Sequence, residues 1–192
     1  MSKGRLEAFS DGVIAIIITI MVLELQIPHG ADLAALRPLL PIFLTYVLSF
    51  VMLGIYWNNH HLMLQLMERC TGGVLWANLH LLFWLSLVPF VTGWMGENHV
   101  AELPTATYGV VMLCAAIAYT ILQNTIIAAE GPGSRLAAAV ESDVKGKASL
   151  AIYSAGIAVS FLSSWLAVAL YVAVALLWLV PDPRIERRIG TG

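Results

Sequence analysis

Charged residues are scarce in this sequence of 192 residues, and their scarcity indicates its class. They make up only 11% of the chain, whereas hydrophobic residues make up 59% and the mean hydropathy is +0.83. Soluble domains contain roughly 25% charged residues. This balance excludes a soluble globular domain and leaves no stretch for a separate one. We therefore expect residues 1–192 to form a single membrane domain.

Several functional motifs are also absent. The two cysteines, Cys70 and Cys114, match neither a metal-binding spacing nor a disulfide framework. The sequence lacks the HExxH pattern of zinc enzymes, the GxGxxG pattern of dinucleotide-binding proteins, the TVGYG carbonyl filter and any basic patch with interleaved aromatic residues. We therefore expect no cofactor, no nucleic-acid partner and no conventional potassium filter.

Six apolar segments are separated by turns or charges. They span residues 8–27, 39–66, 73–95, 105–129, 147–163 and 165–180. The weakest break is Ser163-Ser164. As one helix, the run from Ala148 to Val180 would be about 50 Å long, well beyond the thickness of a bilayer, which favours a hairpin of two short helices. A short amphipathic helix is predicted around Arg135 to Glu141, in the loop between the fourth and fifth segments.

The positions of Lys and Arg favour six spans with a cytoplasmic N-terminus. On that count Arg37 is outside and every other Lys or Arg is cytoplasmic, whereas five spans would put Arg184, Arg187 and Arg188 outside. The N-terminal apolar run is flanked by acids and lacks a small-residue cleavage site, which argues against a secretory signal peptide. We expect a multi-pass protein of the plasma membrane with both termini in the cytoplasm.

The first apolar helix is bracketed by carboxylates. Only a dozen uncharged residues lie between Asp11 and Glu24, although about 20 are needed to cross the hydrocarbon. The carboxylates must therefore face protein or water, and ionisable groups at membrane depth indicate a functional site. Glu24 and Gln26 form either a ring that concentrates cations at an outer mouth or a solvated helix end.

One face of the first helix is apolar. On a helical wheel Ile16, Ile20, Leu23 and Ile27 fall within about 40° of one another, with Thr19 adjacent. Such a stripe is typical of plain helix packing, but four copies around an axis would form a hydrophobic constriction. Six helices are too few to enclose a water-filled path, so conduction would require a symmetric homo-oligomer.

Polar residues lie at matched depth in the first three helices, where they can form a network around Asp11. His60 and His61 point about 100° apart and cannot bind one ion together, and the sequence has no nucleophile motif, so we expect neither a zinc site nor an enzyme. A proton relay through the histidines remains an alternative. The residues of this predicted network are Arg5, Ser10, Asp11, Trp57, Asn59, His60, His61, Asn78 and His80.

The segment Arg5-x-x-x-Phe9-Ser10-Asp11, at the start of an Ile-rich helix, resembles the signature of bacterial relatives of the lysosomal potassium channel, transmembrane protein 175. The polar cluster on the second helix, the segment Leu87-Val-Pro89-Phe and the six spans are also similar to that family. The resemblance covers essentially the whole chain.

This resemblance implies an all-α, homotetrameric, potassium-permeable and weakly selective cation channel whose first helices line the pore. The constriction then maps to Ile16, Ile20 and Leu23, with Thr19 as a polar layer where a potassium ion pauses. Double-length animal members carry two such repeats, so a single-repeat chain needs four copies. The signature residues Arg5, Phe9, Ser10 and Asp11 map to the packing network that supports the pore helix.

Two other functions stay open at this point. The first is a proton-coupled transporter or proton pathway that uses Asp11 and the histidines of the second and third helices. The second is an intramembrane enzyme that uses Ser10, His60 or His61, for which the sequence offers little.

Overall fold

The computed structural model describes residues 2–140 and 143–179, which fold into eight α-helices and two short 3-10 helices with no β-strand among them. The α-helices are α1 (Lys3–Met21), α2 (Leu40–Leu66), α3 (Gly72–Ser86), α4 (Val88–Glu97), α5 (Glu102–Glu130), α6 (Arg135–Val140), α7 (Val144–Ser160) and α8 (Ser164–Leu179). The 3-10 helices are Val22–Glu24 and Leu33–Leu39.

Four helical segments are long and apolar enough to cross a membrane. They are Lys3–Glu24, Leu33–Leu66, Gly72–Glu97 and Glu102–Glu130. The protein is therefore an all-α, multi-pass membrane protein. Helices α7 and α8 have only 17 and 16 residues and reach about 25 Å each. The count of six spans remains a prediction, and Val180 and the C-terminal arginines Arg184, Arg187 and Arg188 lie outside the described residues.

Helices α7 and α8 form the hairpin that the Ser163-Ser164 break predicts. Helix α7 ends at Ser160 and α8 begins at Ser164. Trp178 Nε1 donates to Ser149 Oγ at 2.8 Å, which joins the end of α8 to the beginning of α7, so the two helices are antiparallel. The hairpin is confirmed. The predicted helix after Gly133 is also present as α6, although Glu141 is outside the described residues.

The third apolar segment is broken in the middle. Helix α3 ends at Ser86 and α4 begins at Val88, with Pro89 in the first turn of α4. Proline has no backbone N–H and cannot continue the hydrogen bonds of the preceding helix. The break therefore follows from Pro89. Because the helix is interrupted, the directions of the α4 side chains do not continue the helical repeat of α3.

The core is arranged around α5, which packs against α3, α4, α7 and α8. Tyr171 of α8 is fully buried and donates to the Thr105 carbonyl at 3.2 Å. Its ring fits because Gly109 and Gly156 lack a Cβ, which would overlap the tyrosine ring or hydroxyl. These two glycines allow α5, α7 and α8 to approach closely, leaving α1 on the other side of α2, α3 and α4.

Candidate ion pathway and its supporting network

Helix α1 has two distinct faces. Leu6, Ile14 and Met21 are buried against the rest of the subunit. On the opposite side Ile16 is 59% exposed, Ile20 45% and Leu23 78%. Burial at spacings of three and four residues is the pattern of a helix packed along one side only. The single chain therefore presents the three predicted constriction residues together on an uncovered surface.

Thr19 is exposed on the same face of α1. Its hydroxyl donates to the Ala15 carbonyl at 2.7 Å within the helix. A hydroxyl that donates its proton in this way keeps its oxygen lone pairs for an acceptor or ligand role. The oxygen of Thr19 is thus the polar group among the exposed isoleucines.

A groove of about 680 Å³ runs between α1 and α4 beside this face. Glu24 lies at one end of it, close to Gly93 of α4, where a Cβ on residue 93 would come within 2.7 Å of the Glu24 carboxylate. Nearby, Gln26 Nε2 donates to Glu97 Oε1 at 3.2 Å. Glu24 is half-buried. The segment that follows α1 therefore packs on α4 through polar side chains, and a ring of Glu24 carboxylates stays a prediction.

A buried chain of hydrogen bonds joins α1, α2 and α3. Asn78 Nδ2 donates to Ser10 Oγ at 3.0 Å, and Asn78 Oδ1 lies 2.7 Å from His60 Nε2. Ser10 in turn donates to the Leu6 carbonyl at 2.9 Å. Ser10, His60 and Asn78 are all at most 1% exposed. Because the Asn78 oxygen is an acceptor, His60 Nε2 must be the donor.

This assignment fixes the tautomer of His60. Its Nδ1 then carries a lone pair, and this nitrogen is buried with no hydrogen-bond partner among the residues that the structure describes. A proton added at Nδ1 would have no acceptor there, and burying a charge without partners is costly. The geometry therefore favours a neutral His60 in this conformation.

A second contact lies one residue further along α1. Trp57 Nε1 of α2 donates to Asp11 Oδ1 at 3.0 Å. The Trp57 ring stacks on His61 with centroids 6.1 Å apart, and His61 Nε2 lies 2.8 Å from Gln65 Nε2. Asp11 is half-buried, so water also reaches it. Helix α1 is thus joined to α3 through Ser10 and to α2 through Asp11.

The structure places the remaining predicted residues apart from these bonds. Arg5 and Phe9 are exposed on α1. Asn59 donates to the Ile55 carbonyl of its own helix. His80 is exposed and accepts from Trp84 Nε1 within α3 at 3.0 Å. In a single subunit, the signature thus contributes Ser10 and Asp11 to the contacts between helices.

No local pattern in the sequence marks a second buried polar cluster. Thr92 Oγ1 lies 2.7 Å from Ser49 Oγ, and Ser49 donates to the Tyr108 hydroxyl at 3.2 Å. Each is a single hydroxyl in an apolar stretch, on α4, α2 and α5 respectively. Only their packing brings them together, and there they join three helices.

No group of three or more His, Cys, Asp or Glu side chains in residues 2–140 and 143–179 could bind a metal ion. His60 and His61 make separate contacts, to Asn78 and to Trp57 and Gln65. What this arrangement can do is support a helix that exposes an apolar stripe with one hydroxyl.

Comparison with known proteins supplies the family context. Residues 5–89 match the family model described as the endosomal/lysosomal potassium channel TMEM175. A potassium channel from Chryseobacterium sp. (strain P1-3) is 56% identical over 98% of both chains. The crystal structure of a lysosomal potassium-selective channel TMEM175 homologue from Chamaesiphon minutus superposes with a TM-score of 0.82 at 28% identity, covering 93% of this chain and 96% of the other.

One vertebrate relative matches over a shorter stretch. An endosomal/lysosomal proton channel TMEM175 from chicken is 37% identical over 83 residues, which is 37% of this chain and 17% of the chicken protein.

Proposed function

The chain belongs to the family of the endosomal/lysosomal potassium channel TMEM175, and from this membership we propose that it is a potassium-permeable cation channel in which four copies surround one pore. Each copy crosses the membrane six times, with α7 and α8 as two short spans. Both termini lie in the cytoplasm of a cell whose plasma membrane contains the channel. The positions of Lys3, Arg5, Arg69 and Arg135 support this orientation.

The exposed stripe of α1 carries the proposal. Large aliphatic side chains that are 59% and 78% exposed, at Ile16 and Leu23, need a lipid, a protein or a pore beside them. Three features favour the pore: Thr19 lies in the same stripe, Glu24 lies at its end, and the uncharged run is short for a lipid-facing span. The α1 helices of four subunits then line the central axis.

In this arrangement Ile16, Ile20 and Leu23 form three stacked apolar rings. Such rings close the pore by excluding water. Ions pass only when the rings separate far enough for each ion to keep its hydration shell. Aliphatic groups cannot replace the hydration shell of an ion as backbone carbonyls do, so selectivity for potassium over sodium is modest. The Thr19 oxygen is where a potassium ion pauses between the rings.

The hydrogen bonds on the buried side of α1 serve the pore by fixing the rotation of the helix. A turn of α1 by one residue, about 100°, would move the isoleucines off the axis. The bond from Asn78 to Ser10 and the bond from Trp57 to Asp11 oppose that rotation from two directions.

Flux measurements on assembled tetramers in liposomes test the constriction. Ile16→Ala widens the ring and should raise potassium flux, whereas Ile16→Trp narrows it and should lower flux. The matched control is Leu44→Ala and Leu44→Trp, at an α2 position that is 48% exposed. Equal flux through both Ile16 variants and the parent protein would exclude Ile16 from the constriction.

A proton pathway is the second candidate, because the chicken relative is named a proton channel. Asp11 on α1 and His60 and His61 on α2 are titratable groups in or beside these hydrogen bonds. A proton route through them predicts that Asp11→Asn lowers proton flux, measured with a pH-sensitive dye, while potassium flux is unchanged. Proton flux that falls only in parallel with potassium flux would instead assign both ions to the central pore.

A further inference from the structure

A partly enclosed cavity of about 50 Å³ lies between α2, α5, α7 and α8, and its lining includes neither Trp57 nor His60. We propose that this cavity binds a small organic ammonium ion, of which the quaternary ammonium group is the simplest example. The proposal does not depend on ion conduction, since none of the pore-facing residues lines the cavity.

Four aromatic side chains contribute to the wall of the cavity. Tyr56, Tyr119, Tyr153 and Trp178 line it from α2, α5, α7 and α8 respectively. Tyr56 and Tyr119 stand nearly perpendicular, with ring centroids 6.2 Å apart and an interplanar angle of 68°. Rings from four separate helices that surround one space form an aromatic cage, the arrangement in which quaternary ammonium groups are recognised through cation–π contacts.

The cavity also contains a carboxylate with unused capacity. Asp143 lines it and accepts from the backbone N–H of Gly146 through Oδ1 at 2.8 Å. No residue in the described part of the chain hydrogen-bonds to Oδ2 or forms an ion pair with this half-buried side chain. Its second oxygen can therefore pair with a bound cation.

Two hydroxyl groups of the wall are engaged within their own helices. Thr120 donates to the Ala116 carbonyl at 3.0 Å, and Ser149 donates to the Lys145 carbonyl at 2.8 Å while it accepts from Trp178. An alkali cation would need a shell of oxygen ligands to replace its water. The wall is mostly aromatic and aliphatic, so a cation with apolar substituents fits better than potassium.

The size and the electronic character of the site agree with this choice. A volume of about 50 Å³ is several times the ~10–15 Å³ that one water needs, so a headgroup of roughly four or five heavy atoms fits. Trp178 already attracts a cation, because Lys145 Nζ lies 5.8 Å from its ring centroid. A neutral apolar molecule would fill the same space but make no ion pair with Asp143.

Calorimetric titration of the full-length protein in detergent with choline, and separately with 3,3-dimethylbutan-1-ol, tests the proposal. The alcohol has the shape of choline without its charge. We expect saturable choline binding that is about tenfold tighter than binding of the alcohol. Equal binding of the two compounds, or no binding of choline, would overturn the proposal.

Two sets of variants locate the site. Asp143→Asn should weaken choline binding about tenfold, and the asparagine can still cap α7 because its side-chain oxygen also accepts from Gly146. The matched control is Asp32→Asn, an aspartate that caps the helix Leu33–Leu39 far from the cavity and should leave binding unchanged. Choline affinity that is the same in both variants would assign the binding to another place, such as the pore, and reject the cavity.

The ring contribution is tested at Tyr56. Tyr56→Phe retains the ring and should keep choline affinity within about threefold, whereas Tyr56→Leu should lose about tenfold. The two Tyr56 variants also test whether choline binds in the cavity if Asp143→Asn fails to fold. Equal affinity of the two variants would contradict an aromatic cage.

The ammonium group could come from a free solute or from a lipid headgroup, and nanodiscs separate the two sources. If a phosphatidylcholine headgroup occupies the cavity, choline should bind more weakly to the protein in phosphatidylcholine nanodiscs than in phosphatidylglycerol nanodiscs. Equal binding in both would assign the site to a free solute, and no binding in either would overturn the proposal.

Discussion

The substitution Asn78→Leu should destabilise the protein without leaving a cavity. Leucine has the shape of asparagine but can neither donate to Ser10 nor accept from His60. Ser10 keeps its bond to the Leu6 carbonyl, so its loss is small. His60 is left with a buried N–H without an acceptor, which costs about 1–3 kcal/mol.

The lower part of that range is the better expectation inside a membrane. Hydrogen bonds between transmembrane helices contribute about 0.6 kcal/mol on average, because the unfolded state in the membrane also finds partners. We therefore expect a loss of about 1–2 kcal/mol in the free energy of unfolding. The measurement is unfolding of the purified protein in detergent, with Asn124→Leu, an exposed position on α5, as the control with a change within about 0.5 kcal/mol.

A double-mutant cycle sharpens the test. If His60 and Asn78 interact directly, His60→Phe should cost much less in the Asn78→Leu background than in the parent protein, with a coupling energy of about 1 kcal/mol. Additive effects of the two substitutions, or an Asn78→Leu variant as stable as the parent, would refute the view that this bond fixes α1 against α2 and α3.

Three further predictions concern other parts of the subunit. Thr19→Val should lower the potassium-to-sodium permeability ratio in reversal-potential measurements, because it removes the polar oxygen from the stripe; an unchanged ratio would exclude the Thr19 layer. Gly96→Ala should lower the melting temperature, because its Cβ would lie 2.8 Å from the α2 backbone, whereas Gly54→Ala, with nothing within 4 Å, should keep or raise it. Trp57→Phe should lower stability by about 1 kcal/mol through the lost bond to Asp11, and a neutral result would show that water replaces the indole there.

Sequence reasoning located the helices well because their signals are local. Apolar length, the Ser163-Ser164 break and the spacing of Ile16, Ile20 and Leu23 are properties of short segments, and the structure has a hairpin and an exposed stripe at those places. The end of α1 differs, since the α-helix stops at Met21 and tightens to a 3-10 turn through Glu24. The sequence has no proline or glycine there to mark this change.

Two residues at the same depth in the membrane need not contact the same neighbour, because the rotation of the helix decides which way each side chain points. Asn78 and His80 have nearly the same depth, but two residues on a helix point about 200° apart, so only one of them can face α1. The structure turns Asn78 inward and leaves His80 exposed. The Ser49–Tyr108–Thr92 cluster and the aromatic cavity join residues far apart in sequence, and no local pattern connects them.

Cysteine accessibility tests the pore most directly. In a background without Cys70 and Cys114, Leu23→Cys and Ile16→Cys are treated with a positively charged methanethiosulfonate reagent during potassium flux, beside Leu44→Cys on α2. If α1 lines the pore, the reagent stops flux through the two α1 variants and leaves the α2 variant unchanged. Block of the α2 variant with unchanged flux through both α1 variants would place another helix along the axis and contradict the proposal.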